Sequence, residues 1–350
     1  MEYPKFKVCC RCFTFNHSKY IIDAMNGFTM QQTSFPFVCC IVDDASTDGE
    51  QDVIRKYVED NFDFSEGSVS YHKETDYAHI TYAQHKTNKN CYFAVLYLKE
   101  NHYSQSKPKM EYLSEWRDIC EYEALCEGDD YWIDPNKISD QYNFLNVHDD
   151  YGLVHTLYET VDSFGNELEL KDALYSGIEY RIKDGFIWHY YLTQSGFILT
   201  CTVMIRVSCV NDEKKYIDHG LFMQIARNTK VFCIRKKMSA YRYTTTGAMR
   251  SNHGKVQQAI RDASFMQLYY LYNNKSYTNS YYLYNLNVFI HIVYFFSKYL
   301  IYINQITIPN KYHILLNIIV CNPFLLIFSP VAILIGVFNK FIHLYIINRY

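Results

Sequence analysis

The sequence YEALCEGDDYWIDP, from Tyr122 to Pro135, decides the fold. Its first five residues are mostly apolar and predict the end of a buried β-strand. Three carboxylates follow within four residues, and carboxylates repel one another and are costly to desolvate, so the segment is either a solvated turn or a divalent-cation site. Gly128 allows the backbone to approach a ligand closely. Pro135 and the segment 137–147 predict the start of a helix.

Two strand and helix pairs precede this segment. The patterns of apolar residues predict a strand at 7–15, a helix after residue 18, a strand at 37–42 and a helix at 50–61. This alternation is typical of a parallel α/β sheet. Ligands of such sheets lie outside the carboxyl ends of the strands, where we expect both DDASTDG at 43–49 and the acidic segment.

The segment DDASTDG at 43–49 has two interpretations. It is in part a helix-capping turn, because Ser46, Thr47 or Asp48 can cap the next helix. A cap needs one acceptor, however, and Asp43 and Asp44 add two carboxylates at the ligand edge. Asp44 could accept a hydrogen bond from a base N–H or a ribose hydroxyl. The absence of GxGxxG after either strand argues against a dinucleotide-binding oxidoreductase.

Four motifs occur in a fixed order along residues 5–255. They are TFN at 14–16, DDASTDG at 43–49, EGDDYW-x-DP-x-K at 127–137 and YRYT at 241–244. This ordered set resembles the family 2 glycosyltransferases of the bacterial surface-polysaccharide type. The resemblance implies an α/β domain of the GT-A type, a Rossmann-like nucleotide-diphospho-sugar transferase fold, over residues 1–258. A helical, membrane-associated C-terminal region would follow over 259–350.

The resemblance also implies roles for individual residues. Asp129, helped by Glu127 or Asp130, would hold Mn²⁺ or Mg²⁺ against the diphosphate of the donor, and Trp132 would lie on the acceptor side. Asp218 would act as general base, although an N-cap of the following helix is the alternative. The other donor-binding residues are expected to be Thr14, Asn16, Asp43, Asp44, Glu127, Asp130, Arg242 and Arg250.

Two departures from the family pattern matter. Tyr243-Thr244 stands where a histidine is often found, which leaves the diphosphate ligand open, and Arg242 is equally consistent with a structural ion pair. Processive members usually carry QxxRW, whereas here Gln224 to Arg227 is followed by Asn228. We therefore expect the addition of a single sugar. The resemblance implies that the transfer proceeds with inversion, and we expect the acceptor to be a hydroxyl of a lipid-linked or surface glycan.

Two other classes of protein remain open. One is a catalytically inactive protein that binds a sugar nucleotide or scaffolds a membrane polysaccharide-assembly complex. The other is a nucleotidyltransferase, which usually has a glycine-rich basic loop near its first strand, whereas 9–16 contains no glycine and one arginine. The net charge of −3 argues against a nucleic-acid partner.

The C-terminal region is rich in apolar residues. The run 314–338 has no charge and is long enough to span a bilayer as a helix. Pro323 and Pro330 would kink or break such a helix, so an interfacial hairpin competes with a span, and a buried helical extension is a third interpretation. We expect membrane association through residues 283–347. We place it at the cytoplasmic face of the cell membrane, because the N-terminus lacks a signal-peptide pattern.

Overall fold

The computed structural model describes residues 3–168, 182–188, 198–210, 218–244 and 303–321, and single helical positions between 258 and 330. The chain divides into two compact units. The first consists of Met1–Gly185, Gly196–Lys215 and Thr229–Thr244, and the second of Phe186–Ser195, Tyr216–Asn228 and Thr245–Tyr350. Each unit consists of several segments of the chain, and the domain boundary predicted at residue 258 stays a prediction.

All ten strands of the described residues belong to the first unit and to one mixed sheet. They are β1 (Val8–Thr14), β2 (Phe37–Asp43), β3 (Tyr71–Glu74), β4 (Ala78–Gln84), β5 (Cys91–Leu98), β6 (Tyr122–Leu125), β7 (Tyr131–Trp132), β8 (Tyr151–Val161), β9 (Met204–Arg206) and β10 (Lys230–Arg242). The strand order is β3-β4-β5-β2-β1-β6-β9-β8-β10-β7. The central strands β5, β2, β1 and β6 are parallel, as predicted, and β4 and β9 flank them in the antiparallel direction.

The described helices agree with the predicted positions in several places. The first unit contains α1 (Ile21–Thr29), α2 (Glu50–Asn61), the short α3 (Ser114–Arg117) and α4 (Lys137–Val147), and the second contains α5 (Asp218–Asn228) and α6 (Lys311–Cys321). The predictions for 50–61 and 137–147 are confirmed residue by residue. Among the described residues, no helix combines the length and apolar character needed to cross a bilayer.

The apolar run from Ile198 to Ile205 also predicts a strand, and this prediction is mostly wrong. The chain forms a 3₁₀ turn at Thr200–Thr202, and only the short β9 follows. The reason is that side chains bind the backbone carbonyls here. The carbonyl of Cys201 accepts hydrogen bonds from the Trp132 indole (2.9 Å) and the Ser239 hydroxyl (2.7 Å). A strand residue would offer that carbonyl to a neighbouring strand instead.

Trp132 is a core residue. Its side chain is 1% exposed, and its ring meets Phe28 edge to face at 4.9 Å. Helix α1 packs directly against β7, the strand that contains Trp132. A Cβ atom at Gly27 of α1 would be only 2.8 Å from the backbone nitrogen of Trp132. The ring is therefore enclosed by packing, and the acceptor-side role predicted for Trp132 stays a prediction.

Beside Trp132 lies a fully buried lysine, Lys137. Its ammonium donates to the side-chain oxygen of Gln141 (2.6 Å) and to the carbonyl of Thr202 (3.4 Å), and it lies 4.7 Å from the centre of the Trp132 ring. Burial disfavours the charged form and lowers the pKa of Lys137 from 10.5 to about 8. The folded protein therefore releases this proton at a lower pH than the unfolded chain does.

This difference predicts a specific pH dependence. Below pH 8 both the folded and the unfolded state hold the proton of Lys137, so its contribution to the free energy of unfolding is constant. Between about pH 8 and 10.5 only the unfolded state holds this proton, so the contribution rises with pH. We expect the free energy of unfolding of the wild type, minus that of Lys137→Met, to rise by about 2 kcal/mol from pH 8 to pH 10. Chemical denaturation at each pH measures the difference, which cancels the contributions of the other titrating groups. Lys19→Met, at an exposed lysine, is the control and should give a flat difference; a flat difference for Lys137→Met would contradict the account.

Candidate active site

The carboxyl ends of three parallel strands bring the predicted site residues together. Thr14 ends β1 and is the register partner of Asp43, which ends β2. Beyond β6 the acidic segment continues along β1, because the Cys126 N–H donates to the carbonyl of Arg11 (3.0 Å) and the Gly128 N–H to that of Phe13 (3.1 Å). The acidic loop, Glu127 to Asp130, is thus fixed beside the end of β1.

Gly128 is required by this close approach. A Cβ atom at that position would lie 2.1 Å from the Thr14 hydroxyl oxygen and 3.1 Å from Nδ1 of His17. The Thr14 hydroxyl donates in turn to the buried carboxylate of Glu50, which also accepts the His17 N–H (2.8 Å). Burial raises the pKa of Glu50. Thr14 is therefore part of the support beneath the acidic loop.

Asn16 joins the loops after β1 and β2. Its backbone has a φ of 58°, a left-handed conformation that asparagine tolerates better than most residues. Its N–H donates to the Ser46 hydroxyl (2.9 Å), and its side-chain oxygen accepts the Thr47 N–H (2.8 Å). Its predicted contact with the donor stays a prediction.

Asp43 and Asp44 are both buried and have different surroundings. One oxygen of Asp43 accepts from the Ser46 N–H (3.1 Å) and the Gln51 amide (2.6 Å), and its other oxygen has no hydrogen-bond partner within the described residues. The carboxylate of Asp44 accepts from three donors of the 101–109 loop. These are the His102 N–H (2.7 Å), the Tyr103 N–H (3.0 Å) and the Lys109 ammonium (2.9 Å).

Asp44 therefore holds a loop of the protein in place. The predicted role of both aspartates in nucleoside binding is not tested by these contacts. Sequence reasoning gave Lys109 no role, since a lysine 65 positions from its partner leaves no local signal.

The two aspartates of the acidic loop have opposite environments. Asp130 is 4% exposed, and its carboxylate accepts the backbone N–H of Arg242 (2.8 Å). Burial raises the pKa of Asp130 well above its ordinary value, and the charge of Asp129 adds to the shift. The Asp129 side chain is 22% exposed, and one of its oxygens lies 3.9 Å from Nε2 of His17. Asp129, with the half-buried Glu127, is thus available to a ligand.

Arg242 clamps the acidic loop to its surroundings. Its Nε donates to the carbonyl of Asp129 (2.9 Å), and one terminal nitrogen lies 2.6 Å from the Asp23 carboxylate. The other terminal nitrogen donates to the carbonyls of Asp162 (3.5 Å) and Ser163 (3.4 Å). The guanidinium also lies 4.6 Å and 5.2 Å from the ring centres of Tyr20 and Tyr131. Arg242 therefore forms a structural ion pair with Asp23, which is one of the two interpretations of Arg242 that the sequence left open.

Two predicted residues do not belong to the described part of the first unit. Arg250 is outside the described residues. Asp218 belongs to the second unit, where it is the first residue of α5 and is half-buried. The predicted helix is confirmed, and its inward positions Leu221, Phe222 and Ile225 are buried. The role of Asp218 as general base stays a prediction.

The carboxylate oxygens of the acidic loop are suitable ligands for a divalent cation. Magnesium in phosphate sites is usually held by one or two carboxylates together with the phosphates of the substrate. Asp129 and Glu127 can supply one or two such ligands. Within the part of the chain that the structure describes, no group of three or more His, Cys, Asp or Glu side chains is arranged to hold a metal by itself.

Comparison with known protein sequences gives a partial match. No protein-family model matches the chain. An uncharacterized protein from Mycobacterium bovis and two from Mycobacterium tuberculosis are each 33% identical over 135 residues, which is 39% of this chain and 30% of the relative. The chain thus matches less than a third of the length of these curated relatives.

Comparison with solved structures gives distant likenesses. S. aureus TarS has a TM-score of 0.47 and 13% identity, covering 93% of this chain and 53% of TarS. Residues 1–349 of TarS in complex with UDP-GlcNAc give a TM-score of 0.46 and 17% identity, with coverages of 84% and 80%. A mannosyltransferase from Pyrobaculum calidifontis in complex with GDP-Man and Mn²⁺ gives 0.46 and 9% identity, with coverages of 92% and 74%.

The clamp formed by Arg242 leads to a prediction about stability. In Arg242→Met the carbonyls of Asp129, Asp162 and Ser163 lose their donors, so we expect the free energy of unfolding to fall by about 2 to 3 kcal/mol. Asp23→Ala removes only the half-exposed partner and should cost less than about 1 kcal/mol. Chemical denaturation of both variants and of the wild type measures these changes in the free energy of unfolding. An Arg242→Met variant that keeps full stability but loses nucleotide binding would show that Arg242 is a ligand residue and not a clamp.

Proposed function

We propose that this chain is a metal-dependent, inverting glycosyltransferase. It would move a single sugar from a nucleotide-diphosphate donor to a hydroxyl of a lipid-linked or surface-glycan acceptor. The proposal is consistent with the mixed α/β sheet, with its parallel centre, and with the ordered family 2 motifs. The cofactor would be Mn²⁺ or Mg²⁺, and no nucleic acid would take part.

The observation that carries the proposal is the asymmetry of the acidic loop. Asp130 is buried and bonded to the backbone of Arg242, whereas Asp129 remains accessible at the carboxyl edge of the sheet. A loop that served only as a solvated turn would have no need for a buried carboxylate next to an accessible one. An accessible carboxylate on a fixed backbone suits the binding of a metal-bound phosphate.

The residues of the chain would have the following roles in the reaction. Asp129, with Glu127, would hold the cation, which neutralises charge on the diphosphate leaving group. Thr14, Asn16, Asp43 and Asp44 would shape the donor side. Asp218 would accept the proton of the acceptor hydroxyl as that oxygen attacks the anomeric carbon.

We further propose that the C-terminal region, within residues 283–347, associates with the cytoplasmic face of the cell membrane. An exposed apolar stripe on α6 supports this proposal. Tyr312, Leu316 and Val320 are spaced by four residues and exposed, while Ile318 on the opposite side is buried. Helical positions Phe324, Ile327 and Phe328 are exposed as well. Such a stripe suits an interfacial helix, and it would bring the chain to a lipid-linked acceptor.

A second candidate is a catalytically inactive protein that binds a sugar nucleotide or scaffolds a polysaccharide-assembly complex. One observation favours it: Asp44 and Arg242, two predicted donor ligands, are already bonded to groups of the protein itself. Turnover separates the two candidates.

The test is the release of nucleoside diphosphate from a panel of UDP-sugars and GDP-sugars with Mn²⁺ and membrane extract as the source of acceptor. We expect the wild type to use at least one donor, and Asp129→Asn and Asp218→Asn each to lose about 100-fold or more in rate, because each removes a charge that acts in the transition state. The control is Asp149→Asn, at a side chain that is 97% exposed, and it should behave as the wild type.

Two outcomes would contradict the proposed function. Metal-dependent binding of a donor without turnover would favour the inactive sugar-nucleotide-binding protein. Equal rates for the wild type and Asp129→Asn would place the chemistry outside the acidic loop.

A further inference from the structure

A cleft of about 440 Å³ lies in the first unit. Its walls come from α2, β3 and β4, and Tyr97 of β5 also lines it. This volume falls within the range of small-molecule sites, roughly 300 to 1,000 Å³. None of the predicted donor, acceptor or metal residues lines this cleft.

The Tyr97 hydroxyl is the feature that points to a ligand. The side chain is 2% exposed, and its hydroxyl has no hydrogen-bond partner among the residues that the structure describes. Burial raises the pKa of Tyr97, so the phenol keeps its proton and can both donate and accept. A buried hydroxyl without a partner costs about 1 to 3 kcal/mol, and a polar ligand atom in the cleft would remove that cost.

Most charged groups of the cleft are paired within the protein, whereas the exposed Glu59, which also lines it, has no ion pair among the described residues. Arg55 bonds to Asp52 (3.0 Å), and Lys73 lies 3.6 Å from Glu115. Glu74 is paired with both Lys99 and His79. An anion would therefore meet little uncompensated positive charge, and the carboxylate of Glu59 can accept hydrogen bonds from hydroxyl groups, which favours a neutral ligand that carries hydroxyl groups.

The same cleft also has an apolar surface. Val58 and Phe64 line it, and the Phe64 ring is stacked on His72 with ring centres 5.4 Å apart. The guanidinium of Arg55 covers the Tyr97 ring at 4.7 Å. A fitting ligand combines hydroxyl groups with an apolar C–H face, as a pyranose ring does.

We propose that this cleft is a second binding site, which holds one neutral sugar unit through a hydrogen bond to the Tyr97 hydroxyl. In the proposed reaction, this second site would bind the acceptor glycan at a sugar unit other than the one that receives the new sugar. This role rests on the proposed function. Binding of a sugar to the cleft does not itself require turnover.

The experiment compares two buried tyrosines. Tyr97→Phe deletes only the buried hydroxyl of a tyrosine that lines the cleft. Tyr82→Phe makes the same change at a tyrosine that is 1% exposed, whose hydroxyl also has no partner within the described part of the chain, and that packs in the other hydrophobic cluster. The probes are the methyl glycosides of glucose, galactose, mannose and N-acetylglucosamine, and binding to the full chain is followed by ligand-observed NMR titration.

We expect the wild type and Tyr82→Phe to bind at least one glycoside equally well, and Tyr97→Phe to bind it about five- to tenfold more weakly. Both variants should melt at the temperature of the wild type or slightly above, since neither hydroxyl has a hydrogen-bond partner among the described residues. Absence of binding to all four glycosides, or equal binding by Tyr97→Phe and the wild type, would overturn the proposal. Nucleoside-diphosphate release in the same samples reports on the proposed function separately, so failure of one does not imply failure of the other.

Discussion

The close approach of Gly128 to the end of β1 is the constraint on which the candidate site depends. A side chain at this position would collide with Thr14, so the acidic loop can lie beside β1 only because the residue is glycine. Backbone hydrogen bonds to Arg11 and Phe13 then extend the pairing of β6 with β1 into the loop. As a result, carboxylates from two separate segments reach the same edge of the parallel strands.

The carboxylates of the site are of two kinds: buried ones that support the structure and an accessible one that a ligand can reach. Asp130 and Glu50 are buried, their pKa values are raised, and hydrogen bonds hold both. Asp44 is buried as well and fixes the 101–109 loop. Asp129 is left accessible, and its backbone carbonyl accepts a hydrogen bond from Arg242. Environments that differ this strongly for neighbouring carboxylates are typical of sites where one group supports and another binds.

The sequence predicts the local parts of this arrangement well. The strands β1 and β2 and the helices α2 and α4 follow from apolar periodicity, and their alternation predicts the parallel centre of the sheet. The clamp by Arg242 could not be predicted in the same way, because it joins residues 112 and 219 positions apart. The strand expected at 198–205 failed for a related reason, since distant side chains bind its carbonyls. Burial of Trp132 likewise depends on α1, whose Gly27 lies 105 positions earlier in the chain.

The central claim is that Asp129 holds a divalent cation together with the diphosphate of a nucleotide. The most direct measurement is calorimetric titration of UDP and GDP into the wild type and into Asp129→Asn, with Mn²⁺ and with a chelator. The account predicts that the wild type binds one of the nucleotides only when Mn²⁺ is present, and that Asp129→Asn loses this metal-dependent binding while its thermal stability is unchanged. Nucleotide binding of equal strength with and without Mn²⁺, or in both proteins, would contradict it.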